Sequence, residues 1–129
     1  MSNTEGKSET RAAEITRKYL LFLDKHIDDV VQGRVSDFME LNEIAKELAI
    51  SHTHLTDTVQ KEKGNHPCYF YDLKIINKAK QLLADSDLSI AKIALVLTYD
   101  PSNFSKFFKK WTGQTPGSFR QKNKIPLES

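Results

Sequence analysis

The sequence predicts an all-α chain of about seven helices, arranged as two repeated helical units joined by a long helix. Three observations carry that expectation. Apolar residues return at three- and four-residue steps, and no stretch sustains the two-residue alternation of a half-buried strand. Cap residues and glycines punctuate the periodic stretches at helix-length intervals. A set of matched positions also recurs at a constant separation, the signature of a duplicated unit.

Residues 1–12 are polar and without apolar periodicity, and are expected to form a disordered tail. Ile15, Tyr19, Phe22, Leu23, His26, Ile27 and Val30 then mark one face of a helix over 15–31, roughly five turns long, which Gly33 ends. Ser36 and Asp37 offer caps for a short helix carrying Leu41, Ile44, Ala45 and Leu48. Ser51 caps a third helix with Leu55 and Val59 inward, and Gly64 stops it, completing a first unit over 13–66. Pro67 suits the first turn of a linker helix over 67–86, with Tyr71, Ile75, Ala79, Leu82 and Leu83 on neighbouring turns. Residues 87–122 hold the second unit and a terminal helix opened by Thr115 and Pro116, and 123–129 form a second tail.

The repeat is ungapped. Ile44, Ala45, Leu48, Leu55, Val59, Gly64 and Pro67 return as Ile93, Ala94, Leu97, Phe104, Phe108, Gly113 and Pro116, each pair 49 residues apart. Leu41 maps to Ile90, Lys61 to Lys110, Phe70 to Phe119, and the cap Ser51 to another cap type, Asp100. Each copy reads as a short helix, a tight turn and a second helix, with Ala45 or Ala94 small enough for a close crossing. That is the helix-turn-helix pattern, whose second helix enters a DNA major groove. A single copy would fit an ordinary αα-corner equally well; duplication and a basic second copy favour DNA.

Charge points the same way. The net +2 conceals nine Lys/Arg against twelve Asp/Glu in residues 1–66, a balance of −3, and ten against five in 67–129, a balance of +5. A polyanion met mainly by the C-terminal half fits this asymmetry. The longest apolar run, Tyr19 to Leu23, is five residues. That is far short of the roughly 20 a membrane span needs. A lone Cys without a secretory leader fits a reducing cytoplasm.

With Leu55 and Val59 inward, Thr53, Thr56, Asp57 and Gln60 fall on the outward arc of the third helix. The same offsets in the second copy give Ser102, Ser105, Lys106 and Lys109. These side chains suit base edges and phosphates: Lys106 can donate to guanine, and Gln60 can reach adenine or a phosphate. Asp57 either accepts from a cytosine amine or pairs with Lys61 four residues on. Phe104, Phe108 and Trp111, at i, i+4 and i+7, read as core rather than as a base-stacking stripe. Free amides at the helix opened by Thr115 can hold a backbone phosphate, or Thr115 can serve as a simple cap.

His52, His54, His66 and Cys68 cluster without a metal-ligand spacing, so no metal site is expected. Cys68, near a helix start, is read as an inert, partly buried thiol rather than an activated one. No Gly-rich phosphate loop, nucleophile elbow or paired-carboxylate constellation is present, and neither catalysis nor a cofactor is expected.

The residues now quoted resemble the AraC/XylS-type DNA-binding domain. The stretch LSIAKIALVLTYDPSNFSKFFKKWTGQTPGSFR, Leu88 to Arg120, carries the resemblance most specifically. LNEIAKELAISHTHLTDTVQKEKG resembles the first helix-turn-helix, and INKAKQLL the linker helix. The resemblance implies two helix-turn-helix subdomains on a linker helix, reading two successive major-groove segments of double-stranded promoter DNA. A linker over 67–84 would span roughly 27 Å, compatible with the roughly 34 Å turn of DNA once the subdomains add their offsets. By position it assigns base contacts to Thr53, Thr56 and Asp57 in the first unit and Ser102, Ser105 and Lys106 in the second. Gln60, Lys61, Asn103, Lys109, Lys110 and Thr115 are the phosphate-contact candidates.

Four departures bear on that transfer. The family's turn glycine is Ala49 in one unit and Thr98 in the other, which predicts a different backbone path in at least one turn. The second unit reads as one residue shorter than usual before Phe104. A linker arginine is replaced by Ile75, and Asp57 stands where a basic or amide residue is frequent. No ligand-sensing domain is visible, and the chain is similar to stand-alone multiple-antibiotic-resistance-type regulators. That similarity implies a monomeric activator that contacts RNA polymerase. The competing expectation is a helical protein-interaction module derived from such a domain, using the acidic first half and the helix 15–31 as its surface.

Overall fold

A computed structural model describes residues 9–124; the expected tail residues 1–8 and 125–129 lie outside that range. Seven helices and no strand form among the described residues: α1 (Arg11–Val31), α2 (Leu41–Glu47), α3 (His52–Lys63), α4 (Pro67–Asp85), α5 (Ile90–Val96), α6 (Pro101–Thr112) and α7 (Pro116–Asn123). α1 begins inside the stretch expected to be a tail. Thr10 Oγ1 accepts from Ala13 N–H at 3.1 Å and so caps the helix before its first buried apolar residue. The second tail is shortened likewise, since α7 runs to Asn123.

The chain divides into two compact units, Met1–His26 with Met39–Asp72, and Ile27–Phe38 with Leu73–Ser129. The divisions fall within α1 and α4, not at Pro67 as the charge split suggests. Packing explains the shift. Tyr19 hydroxyl donates to the Pro67 carbonyl at 2.9 Å, and Tyr71 hydroxyl to the Met39 carbonyl at 2.9 Å, so the first turns of α4 complete the first unit. Val31 and Phe38, by contrast, pack against the core of the second.

In the first unit, Ile15, Tyr19 and Leu23 of α1 are buried with Ile44 and Ala45 of α2, Leu55 and Val59 of α3, and Tyr71 of α4. His26, also buried, accepts at Nε2 from Met39 N–H at 2.9 Å. This bond holds the approach to α2. The cap of α2 is Glu40, not Ser36 or Asp37: the Glu43 carboxylate accepts from Glu40 N–H at 2.8 Å. The loop through Ser36 and Asp37 therefore ends further from the helix than the cap-residue pattern suggests.

The second unit buries Ile76, Ala79 and Leu83 of α4 with Ile93, Ala94 and Leu97, and with Phe104 and Phe108 of α6. Trp111, Phe107 and Phe119 pack partly buried around them, so the aromatic stripe is core as its periodicity indicates. Tyr99 stacks on Phe107 with ring centroids 5.2 Å apart. Arg120 closes the C-terminal end of α4, donating from Nε to the Leu83 carbonyl at 2.9 Å and from Nη2 to that of Ser86 at 3.2 Å. Lys124 also donates to Ser86, and to the Asp87 carboxylate at 2.8 Å.

Candidate nucleic-acid interface

The outward helix of each unit is positioned by the same devices. Ser51 Oγ accepts from His54 N–H at 3.0 Å, and Asp100 Oδ2 from Ser102 N–H at 3.1 Å, each satisfying a first-turn amide that the helix itself leaves orphaned. The Ser102 hydroxyl and the Asn103 and Ser102 amides hold the Asp100 carboxyl below its usual range. Gly64 and Gly113 end α3 and α6 at the same left-handed φ of 81°. In each unit the buried alanine, Ala45 or Ala94, leaves room at the crossing of the two helices.

The turns overturn one expectation. Ala49 and Thr98 both adopt φ 62°, the left-handed conformation that a glycine takes without steric cost. Neither turn takes a new path. The side chains bear the strain, and the constraint comes from both flanking helices: Ile50 N–H donates to the Ala45 carbonyl at 3.0 Å, and Tyr99 N–H to that of Ala94 at 2.8 Å. The register also holds. α3 and α6 start, cap and stop 49 residues apart, so Ser102 and Asn103 stand in their helix as Thr53 and His54 stand in theirs.

On α3, Thr53, Asp57, Gln60 and Lys61 are exposed and Thr56 is half-buried. On α6, Ser102, Asn103, Lys106, Lys109 and Lys110 are exposed and Ser105 is half-buried. All twelve candidates therefore lie off the cores, although one in each arc, Thr56 or Ser105, is partly covered. No ion pair joins Asp57 to Lys61. Asp57 thus projects a carboxylate from α3 where α6 projects the Lys106 ammonium. Thr115 is the N-cap of α7, its hydroxyl accepting from Ser118 N–H at 3.1 Å. Ile75 is buried and so belongs to the packing of α4.

His54 is exposed and lies 49 residues before Asn103, so it belongs to the outward arc of α3 that the sequence pattern assigned without it. His52, His66 and Cys68 share an open hollow with Glu40, Leu41 and Asn42 in the first unit. His66 Nδ1 accepts from Cys68 N–H at 3.0 Å, an imidazole standing where the second unit uses Thr115. Cys68 is exposed, contrary to the expected partial burial. Partial desolvation, then the charges of Asp72 and Glu40, raise its thiol pKa, so the helix start does not activate it. Among the described residues, no three His, Cys, Asp or Glu side chains gather as metal ligands, and no helix is long and apolar enough to cross a membrane.

Comparisons with known proteins agree with this geometry. A helix-turn-helix domain family matches residues 44–122. The HTH-type transcriptional regulator YtdP of Bacillus subtilis is 30% identical over 103 residues, covering 79% of this chain and 13% of the relative. The ornithine utilization regulator of Pseudomonas aeruginosa is 33% identical over 90 residues, covering 69% of this chain and 26% of the relative. The chain thus spans only a minor part of these relatives. The C-terminal domain of AraT, a response regulator from Geobacillus stearothermophilus, superposes with a TM-score of 0.78 at 26% identity, covering 93% of this chain and 94% of that one. The DNA-binding domain of AdpA, solved with a target DNA, shares the fold with a TM-score of 0.65 at 17% identity, covering 88% of this chain and 93% of that one.

Proposed function

The chain belongs to the AraC-type helix-turn-helix family, and on that premise we propose that it reads promoter DNA sequence-specifically through α3 and α6, each in its own major-groove segment. One observation carries the reading: the two helices present equivalent outward arcs in the same register, one with three lysines and one with a single lysine and an unpaired carboxylate. In this reading Ser102, Ser105 and Lys106 meet bases in one segment, and Thr53, Thr56 and Asp57 in the other. Asn103, Lys109, Lys110 and Thr115 take phosphates beside α6, and Gln60 and Lys61 beside α3. The α6 unit supplies most of the electrostatic affinity, because its lysines release counterions from the backbone. The chain binds as a monomer and activates transcription by contacting RNA polymerase.

Selection of bound sites from a random duplex library tests this directly. The expected consensus has two half-sites about ten base pairs apart. A single half-site would remove α3 from base reading, and no consensus at all would leave only non-specific binding. Transcription from the selected site with purified polymerase then checks activation: unchanged or lowered transcript would overturn that part.

A further inference from the structure

The two outward arcs share a register but not a charge chemistry. At the 49-residue offset His54 stands for Asn103, Asp57 for Lys106, Gln60 for Lys109 and Lys61 for Lys110. None of the four residue types on α6 changes charge near neutral pH. On α3 one does, because histidine is the side chain whose ordinary charge change falls between pH 5 and 8. With a neutral imidazole, Asp57 and Lys61 cancel and the α3 set carries no net charge; with an imidazolium it carries one positive charge. The α6 set carries the three positive charges of its lysines at either pH.

His54 is placed to use that difference. It lies in the first turn of α3, the part of a recognition helix that meets DNA. Its amide is held by the Ser51 cap at 3.0 Å, while its exposed imidazole makes no hydrogen bond or ion pair with a described residue. Asp57 stands one turn further along the same helix. His52, two residues back, instead lines the hollow that holds Glu40, His66 and Cys68, with Asp72 of α4 acting on that thiol. α2, which packs against α3, carries Glu43, Lys46 and Glu47, all exposed and none paired with His54. Arg17 of α1 lies beside Glu62 and Lys63, at the opposite end of α3.

We propose that His54 makes the hold of α3 on DNA proton-dependent: as α3 enters its groove the imidazole takes up a proton from solvent and donates, as an imidazolium, to a phosphodiester oxygen. The inference rests on the two-helix reading above and adds the condition under which α3 takes part. Phosphates favour the charged imidazole, so the bound state holds one more proton than the free state, and affinity rises as pH falls. The same charge offsets the Asp57 carboxylate, which otherwise repels the backbone. α6 has no equivalent dependence, so pH alters how much of the promoter is gripped more than whether DNA is bound.

The test is fluorescence anisotropy of the full 129-residue chain on two duplexes, the selected site and a version truncated after the α6 half-site, from about pH 5.5 to 8, the range in which histidines titrate. The affinity advantage of the longer duplex should grow about five- to tenfold from the alkaline to the acid end. Its salt slope should steepen by about 0.9, the contribution of one more neutralised phosphate. The truncated duplex should show neither change. His54→Asn, which copies the second unit, should hold the advantage at its alkaline level throughout, and His54→Lys should carry the acid-end advantage to alkaline pH. An advantage that does not vary with pH in wild type, or varies equally in His54→Asn, overturns the inference and leaves the two-helix reading standing. So does a pH dependence that His52→Asn abolishes in place of His54→Asn. Equal affinity for the two duplexes at every pH overturns the reading of α3 and the inference together, so the two failures are distinguishable.

Discussion

Arg120 reaches back 37 residues to place its Nε 2.9 Å from the Leu83 carbonyl. The last carbonyls of a helix have no partner within it, and this guanidinium supplies one while complementing the negative end of the helix dipole. Arg120 and Lys124 are thereby committed to the end of α4. The positive surplus of the C-terminal half is partly structural, and the lysines left to meet a polyanion in the proposed interface are those of α6. Arg120→Ala is expected to lower stability by about 1–3 kcal/mol, because carbonyls that lose a charged donor must find water instead. Chemical denaturation measures this. Arg120→Lys should recover little, since a single ammonium cannot reproduce the fork between Leu83 and Ser86.

Ala49 and Thr98 store local strain at φ 62°. Replacing either with glycine removes a steric cost of roughly 1–2 kcal/mol, against an entropic loss of about 0.5–1 kcal/mol. A net stabilisation of about 0.5–1 kcal/mol is expected for each. Because the sites lie in separate units, the two gains should add. Urea midpoints of the single and double variants check both statements, and a destabilised Ala49→Gly would contradict the strain argument.

His26 Nε2 accepts from the Met39 amide in a buried setting. Filling the site with His26→Phe keeps the bulk but orphans that N–H, at an expected cost of about 1–3 kcal/mol. The loss should appear in hydrogen exchange as faster exchange at Met39 and the start of α2. A variant with unchanged exchange there would show that the bond does not hold the loop.

Asp100 has its carboxyl pKa lowered, chiefly by the Ser102 hydroxyl. A depressed carboxylate stabilises the fold above its ordinary pKa of 3.8 and loses that contribution as pH falls through its lower, folded value. The stability difference between wild type and Asp100→Asn should therefore be full near neutrality and shrink in acid. Asp100→Ser, whose hydroxyl caps without titrating, should show the same shrinkage in its difference from wild type, with a smaller difference near neutrality because the cap is kept. Thermal melts from pH 2 to 7, a range set around the ordinary carboxylate value of roughly 4, would show both behaviours.

Charge on the two outward helices should act unequally on DNA. Lys109→Ala is expected to reduce the salt slope of binding by about 0.9, whereas Lys106→Ala should cost about 1–3 kcal/mol of discrimination between sites. Asp57→Asn should tighten binding to random duplex by about 1 kcal/mol, by removing a repulsion near phosphates. Fluorescence anisotropy over a salt series separates the three. The Asp57→Asn variant should also lose preference at its own half-site, and one that keeps that preference would remove Asp57 from base reading.

Much of this molecule was legible before folding. The 49-residue repeat located α2, α3, α5 and α6, because cap, glycine stop and inward apolar residues each follow from local backbone geometry, which a chain carries wherever it goes. The outward arcs followed as the complement of Leu55 and Val59, and of Phe104 and Phe108. The two turn residues did not follow: their side chains disfavour the left-handed region, and the hydrogen bonds that close each turn, from Ala49 to Lys46 and Ile50 to Ala45 in one and from Thr98 to Leu95 and Tyr99 to Ala94 in the other, hold them there. The cap of α2 was likewise misplaced, since Ser36 and Asp37 have cap chemistry but the His26 and Tyr71 bonds to Met39 determine where the chain can enter the helix.

Periodicity and punctuation thus specify the helices, their faces and the duplicated plan, for these depend on residues three or four apart. Where each unit ends and which cations remain available to a ligand are properties of residues far apart in sequence. Such contacts depend on which side chains share a volume once the helices pack, and no local pattern encodes that.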